Sequence, residues 1–351
     1  MAGHVEKAKV YFLPWESLSR LPELLELSKA HESVRPGDLT AVKIHFGERG
    51  GDGHIKPENT RPILQMIRKR KARPFLTDTG TIYHGDRENA VGHLAVAADH
   101  GFTQTRLHTP IIIADGLRGD DCAEVEIEGE HFKSVKIATS IVKADSIIAM
   151  SHFKGHLLAG FGGAIKNLGM GCGARLGKFA MHSGVSPSVD EKACTGCGAC
   201  VARCAHGAMS LSDGRAKIDL DLCVGCGECI IACDYRALTM NWNSNTAAVQ
   251  ERFAEYAAGA VKGKRAFYVN FVNHVTPNCD CMGIKEKPLL PDIGILASSD
   301  PVAIDQASHD LVCKHGGDVF KKTHPRIDSS VQLSHAVKMK LGSREYRLIE
   351  I

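Results

Sequence analysis

Cys194-Thr-Gly-Cys197-Gly-Ala-Cys200-Val-Ala-Arg-Cys204 and Cys223-Val-Gly-Cys226-Gly-Glu-Cys229-Ile-Ile-Ala-Cys233 interrupt an otherwise ordinary chain. Both stretches have the spacing C-x2-C-x2-C-x3-C, and the second begins 29 residues after the first. A cubane iron–sulfur cluster is held by four thiolates. A tight C-x2-C-x2-C turn supplies three of them, and in two-cluster proteins the fourth comes from the other quartet. The expected ligand sets are Cys194, Cys197, Cys200 and Cys233 for one [4Fe–4S] cluster, and Cys223, Cys226, Cys229 and Cys204 for the other. Structural zinc uses paired C-x2-C units separated by a longer gap. Disulfide frameworks belong to oxidising compartments and small secreted domains. The spacing therefore points to electron transfer.

Over about residues 188–241 the chain resembles a bacterial two-[4Fe–4S] ferredoxin. The likeness extends to a hairpin expected at Ala208–Leu211 and Ala216–Ile218, between the quartets. One departure bears on the local turn and on hydrogen bonds to sulfur. The family places proline after each fourth cysteine, and here Ala205 and Asp234 stand there.

At 351 residues the chain is long enough for two domains. Its composition, 44% hydrophobic and 24% charged, excludes a disordered or fibrous chain. No run approaches the roughly 18 apolar residues of a membrane span. Val10–Trp15 is short and broken by Pro14, which does not fit a signal peptide. Reduced cysteines and oxygen-sensitive clusters lead to an expectation of a cytoplasmic protein from an anaerobe or microaerobe. Residues 190–236 carry seven acids and five bases, and each oxidised four-thiolate cubane adds about −2. That anionic segment favours a basic redox partner protein. Nucleic acid is not expected, because it calls for a basic face with stacking aromatics and aromatics are 6% of the chain. Oligomeric state is not legible.

Short apolar runs bounded by turn residues predict buried strands at Val10–Leu13, Leu39–His45, Pro74–Asp78, Ile111–Ala114, Ser146–Met150, Ala266–Val272 and Ile293–Ala297. Helical patterns fall at Arg61–Arg70, Glu88–His100, Leu158–Leu168, Thr246–Val261 and Val302–His315. Alternating strands and helices predict an α/β fold, a mostly parallel sheet with helices on both faces. The expected organisation is a discontinuous α/β domain over 1–185 and 246–351. An α+β two-cluster ferredoxin-like module occupies 186–245. Ser183–Ser188 and Asn241–Asn245 read as its linkers.

Unusual polar residues follow the strands: His45 to Glu48 and His54, then Asp78 to Gly80 and Tyr83, then Ser151 to His156, then Asn273, His274 and Pro277 to Cys281. In open α/β sheets, ligands bind outside the carboxyl ends of the strands. Polarity alone is ordinary for loops, but this histidine and cysteine content points to a site, with room for a small-molecule substrate. Three leftover cysteines, Cys172, Cys279 and Cys281, lie in loops marked by glycine or proline. Together they could hold a third iron–sulfur cluster with one iron open, or a zinc or other metal. Against that, lone cysteines often pack as small apolar groups, the reading kept for Cys122 and Cys313. The run Gly160–Gly171 fails the P-loop template. It reads either as a backbone nest for an anion, with Lys166 as the charge, or as close helix packing.

The stretches Lys43-Ile-His-Phe-Gly-Glu48, Thr77-Asp-Thr-Gly80, Ser151-His-Phe-Lys-Gly-His156, Gly160 to Gly171, Thr276-Pro-Asn-Cys-Asp-Cys281 and Asp292 to Asp305 make the chain similar to the family called domain of unknown function 362. Its form here carries an inserted ferredoxin module. That resemblance implies an iron–sulfur protein without an assigned reaction. His152 to Gly171 is also similar to a region of nickel-pincer lactate racemases. By that likeness Lys166 and His152 or His156 would line a site. The leading expectation is an oxidoreductase that passes electrons from two clusters to a metal or substrate at the sheet edge. His45, His152, His156 and Lys166 would orient substrate or move protons. The alternatives are a non-catalytic carrier docking on a partner enzyme and a factor that matures a metal or cluster.

Overall fold

The computed structural model describes residues 7–83, 85–182, 187–223, 228–240 and 246–351. Eight strands form its main sheet: β1 (Ala8–Pro14), β2 (Leu39–Lys43), β3 (Arg73–Asp78), β4 (Ile111–Ile113), β5 (Ser146–His152), β6 (Arg265–Val272), β7 (Gly294–Ser298) and β8 (Tyr346–Glu350). Their order is β8-β1-β7-β6-β5-β2-β3-β4. Only β7 runs against its neighbours, so the sheet is mostly parallel, as expected. All seven predicted strands are present, within a few residues at their ends. β8 was not anticipated, because Tyr346-Arg-Leu-Ile-Glu350 is a half-polar edge strand without a continuous apolar run.

Alternate residues of the central strands feed two cores. Ala41, Phe75, Ile147 and Ala149 face one, and Val42, Leu76, Ile148 and Met150 face the other. Burial on both faces explains why these strands read as unbroken apolar runs. Helix α1 (Arg61–Lys69) covers the second face through Ile63, Leu64 and Ile67, and Ala97 of α2 (Ala90–Asp99) joins it. The first face is covered by α3 (Ala164–Cys172), α5 (Thr246–Val261) and α6 (Pro301–Gly316), and α4 (Arg175–Met181) follows α3 in the chain.

The helix expected at Leu158–Leu168 begins later. Gly160–Gly162 instead pairs with Lys154–His156 as a small hairpin, and Gly160 sits at φ +74°, outside helical space. Buried Asp305 of α6 then starts α3, accepting from the Ala164 and Ile165 N–H groups at 2.7 and 2.9 Å. Along α3, a Cβ on Gly169 would meet the Phe253 carbonyl at 2.3 Å, so this glycine lets α3 lie close against α5.

Between α4 and α5 the chain builds a cluster of small elements. Pro187–Val189 pairs antiparallel with Leu238–Met240, and Met209–Ser212 forms the expected hairpin with Arg215–Ile218. Short helices span Ala199–Arg203 and Glu228–Ile231. The core here contains Cys194, Cys200, Met209, Cys229, Ile230 and Leu238, joined by Ile82 and Phe179 from the larger part. Most of the two expected linkers, residues 183–186 and 241–245, lies outside the described residues. Among the described residues no helix is long and apolar enough to cross a membrane.

Candidate active site and cysteine cavity

The strand order reverses between β2 and β5. From β2 the chain moves outward to β3 and β4, then returns to β5 on the other side and continues to β6. Such a switch point leaves a crevice at the carboxyl ends of the strands. A cavity of about 110 Å³ lies there. Lys43 and His45 enter from the end of β2, Asp78 to Tyr83 from β3, Met150 to His152 from β5, Lys166 and Asn167 from α3, and Cys279 and Cys281 from the loop after β6.

The cavity is strongly basic. Lys43, Arg87, Lys154, Lys166 and Lys178 all line it, against one carboxylate, Asp78. Lys43 pairs with Asp78 at 3.0 Å and donates to Asn167 Oδ1 at 2.8 Å. Arg87 is pinned by Glu48 at 2.9 Å and donates to the Tyr83 hydroxyl. Lys154 pairs with Asp280 at 3.1 Å. Lys178 has no carboxylate in direct contact and donates to Thr79 Oγ1 at 2.6 Å and to the Gly80 carbonyl. Burial pushes its pKa down to about 8, despite the pull of Asp115 and Asp78. Burial also raises Asp78 and Asp280. Lys43 and His93 around the first, and His152 and Lys154 around the second, outweigh it and hold both well below the usual carboxylate range.

The two cavity histidines differ. His152 Nε2 donates to the Asn273 carbonyl at 2.8 Å, and Nδ1 meets Asp280 at 2.8 Å, so both nitrogens are engaged. His45 Nδ1 accepts from the Gly47 N–H at 2.9 Å, which puts the proton of the neutral ring on Nε2. That Nε2 is buried with no hydrogen-bond partner. Burial, reinforced by Arg87, holds His45 well below the ordinary histidine value, so it is a neutral donor.

Cys279 and Cys281 line the cavity together, and Lys166 Nζ lies 3.7 Å from Cys279 Sγ. The neighbouring Cys281 thiol, with Lys166 and Lys154, drives Cys279 well below the usual thiol value. The neighbouring Cys279 and burial drive Cys281 well above it.

A second cavity, about 20 Å³, lies in the cluster of small elements. Cys194, Cys197, Cys200 and Cys233 line it together. The Ala216 N–H points to Cys194 Sγ at 3.4 Å. Cys229, with half-buried Cys204, packs in the adjoining core, and Cys223 is half-buried. Cys226 lies outside the described residues. The two cavities share structure. Ile82 belongs to the core of the small elements and lines the basic cavity, and Tyr83 packs against that core while lining the cavity too. In α4, Lys178 faces the cavity and its neighbour Phe179 packs in the cysteine-bearing core.

A family model described as domain of unknown function (DUF362) matches residues 40–310. The chain belongs to that family. No curated protein matches this DUF362 chain. Two solved structures are similar to it. The lactate racemase apoprotein from Thermoanaerobacterium thermosaccharolyticum shares 13% identity with a TM-score of 0.40, over 75% of this chain and 50% of that one. A protein from Thermotoga maritima shares 9% with a TM-score of 0.38, over 92% and 59%. The DUF362 chain thus spans between half and three-fifths of their lengths.

Several expected site residues are rearranged in this DUF362 protein. His45, His152, Lys166, Cys279 and Cys281 converge on the basic cavity. His156 does not: its Nδ1 accepts from the Leu158 N–H at 3.2 Å and its ring packs on Phe253. Cys172 does not either. It is fully buried in the main hydrophobic core, where burial pushes its thiol up to about 12, so the three leftover cysteines do not assemble a common site. Of the two readings of Gly160–Gly171, the anion nest is closed, since Asp305 already occupies the N–H groups at the start of α3, and close helix packing is what Gly169 shows. Lys43, Arg87 and Lys178 were not singled out from sequence. A lysine ending an apolar strand, as Lys43 ends β2, was the available signal. His309, Cys313 and Asp318 bring three ligand atoms within 4.8 Å of one another, close enough to meet on a single metal ion.

Proposed function

We propose that this protein is an iron–sulfur redox protein that delivers electrons to a small anionic substrate in the basic cavity. The observation that carries the reading is the shared wall of Ile82, Tyr83 and the Lys178–Phe179 pair between the cysteine-bearing core and that cavity. The donor chemistry suits a cubane cluster. Four thiols face one small space, three from one C-x2-C-x2-C turn and one from the other quartet, and an N–H group is aimed at one sulfur. Cys194, Cys197, Cys200 and Cys233 would hold one cluster, and Cys223, Cys226, Cys229 and Cys204 the other. Such clusters would supply single electrons, and a redox partner protein would recharge them.

The chain's own residues prepare the substrate. Buried cations without matching carboxylates favour an anion, because burial weakens screening by water. Lys166 and Lys178 would hold the anionic group, as Lys43 and Arg87 hold the flanking Asp78 and Tyr83. His45 Nε2–H would donate to an oxygen that gains charge during reduction. His152 and Asp280 orient Lys154.

The test begins with anaerobically purified protein reduced by dithionite. Small oxidised carboxylates and phosphate esters are then offered as acceptors while reoxidation is followed by visible absorbance. At least one anion should speed reoxidation in the wild type and fail to do so in Lys166→Gln. Equal anion-dependent rates in the two proteins would overturn the assignment of the cavity.

A further inference from the structure

Cys279 and Cys281 are the two cavity groups that the binding scheme above leaves without a task. They are separated only by Asp280, whose carboxylate is turned away to His152 and Lys154 at 2.8 and 3.1 Å. Both thiols line the same cavity, one residue apart on one loop. Lys166 Nζ reaches Cys279 Sγ at 3.7 Å. Cys172 packs elsewhere in the core, so among the described residues no third thiol completes a metal site with them.

From this geometry we infer that Cys279 and Cys281 form a redox-active dithiol, closing and opening a disulfide within the cavity as a two-electron relay. The inference rests on the proposed function, because the electrons are those of the two clusters. In the charging step the Cys279–Cys281 S–S bond breaks as two electrons arrive, one from each cluster. One proton is taken up on Cys281, and Cys279 remains a thiolate beside the Lys166 ammonium. In the discharging step the S–S bond re-forms. The two electrons and the Cys281 proton pass to the oxidised anion, which is thereby reduced. Single-electron donors are thus matched to a substrate that takes electrons in pairs. The ammonium of Lys166 favours the thiolate product, and the tie of Asp280 to His152 and Lys154 holds the loop that brings the two sulfurs together.

The experiment uses the whole protein, purified anaerobically. One portion is poised with dithionite and another with ferricyanide, and both are alkylated under denaturing conditions with iodoacetamide and mapped by mass spectrometry. Iron is measured on the same samples. After dithionite, the peptide carrying Cys279 and Cys281 should bear two labels. After ferricyanide it should bear none and have lost two hydrogens, and a phosphine reductant should restore both labels. Cys281→Ser should leave Cys279 labelled under both conditions, with its iron content unchanged. Two labels after ferricyanide, or a metal held by the pair in stoichiometric amount, would overturn the relay. A disulfide formed in a protein without iron would leave the dithiol standing and sink the cluster reading. About eight irons with no disulfide would do the reverse.

Discussion

The cysteine cavity and the basic cavity are built by opposite means. The first comes from local spacing. Three of its four thiols fall within Cys194–Cys200, and the fourth, Cys233, comes from a repeat of the same pattern. The second has no local pattern at all. Its five cations stand at Lys43, Arg87, Lys154, Lys166 and Lys178, and only the reversal of strand order between β2 and β5 brings them together. The cysteines proposed to hold the clusters can therefore be read as a motif. The cations proposed to bind the substrate depend on topology. The contact between the two runs through Ile82, Tyr83 and Phe179, and on the proposed function it is what links them.

That comparison can be broken most directly at the cavity. Lys166→Gln should slow anion-dependent reoxidation about a hundredfold, the scale for losing one preorganised electrostatic group, and Cys279→Ala, which removes the proposed relay, should slow it at least as much. The iron content should not change. Loss of iron in either variant would show that the two regions are not separable.

Acidity sharpens it next. Lys178 titrates at about 8 in the folded protein, below the ordinary lysine value of 10.5. Between those values the unfolded chain binds more protons, so Lys178 makes stability rise as pH goes from about 8 to about 10.5. Below pH 8 its buried charge is fully present and costs stability. Anion binding follows the charge in the other direction: it should be level below pH 8 and fall by about tenfold per unit above it. Lys178→Met should flatten that profile, measured by calorimetric titration with the active anion. An unchanged slope in the variant would remove Lys178 from the binding site.

A smaller effect is expected at Asp305. Its carboxylate accepts from Ala164, Ile165 and the Asn270 side chain at 2.7, 2.9 and 2.7 Å. Asp305→Ala would leave these buried donors unpaired, at about 1–3 kcal/mol for each unsatisfied group. Helix α3 carries Lys166, so the midpoint of denaturant unfolding and the anion affinity should fall together, with the clusters retained. The smallest change is expected at Arg236, whose pair with Glu88 at 3.4 Å is largely exposed on the arginine side. Arg236→Ala should cost at most about 1 kcal/mol and leave reoxidation as it was.

The sheet was largely legible because its strands are apolar on both faces, so that Leu39–Lys43 and Ser146–His152 read as continuous runs. β8 escaped because an edge strand need bury little, and its Arg347 and Leu348 are exposed. The start of α3 was misplaced because the determinant is Asp305, some 140 residues away, rather than anything in Leu158–Leu168. At the site, His45, His152, Cys279 and Cys281 came from reading the strand ends, and Lys166 from the glycine-rich run Gly160–Gly171. Cys172 was misassigned because a glycine-rich surrounding signals close packing as readily as ligand approach. Arg87 and Lys178 lie far from any strand end in sequence, and nothing local marks them as buried cations.

The central claim is that a cluster-bearing segment feeds the basic cavity, and its most direct test is iron, inorganic sulfide and zinc per chain. Anaerobically purified wild type and Cys233→Ala should be compared. The account predicts about eight irons and eight sulfides in the wild type, with about four of each left in the variant. Zinc in place of iron, or a wild type with neither, would contradict it.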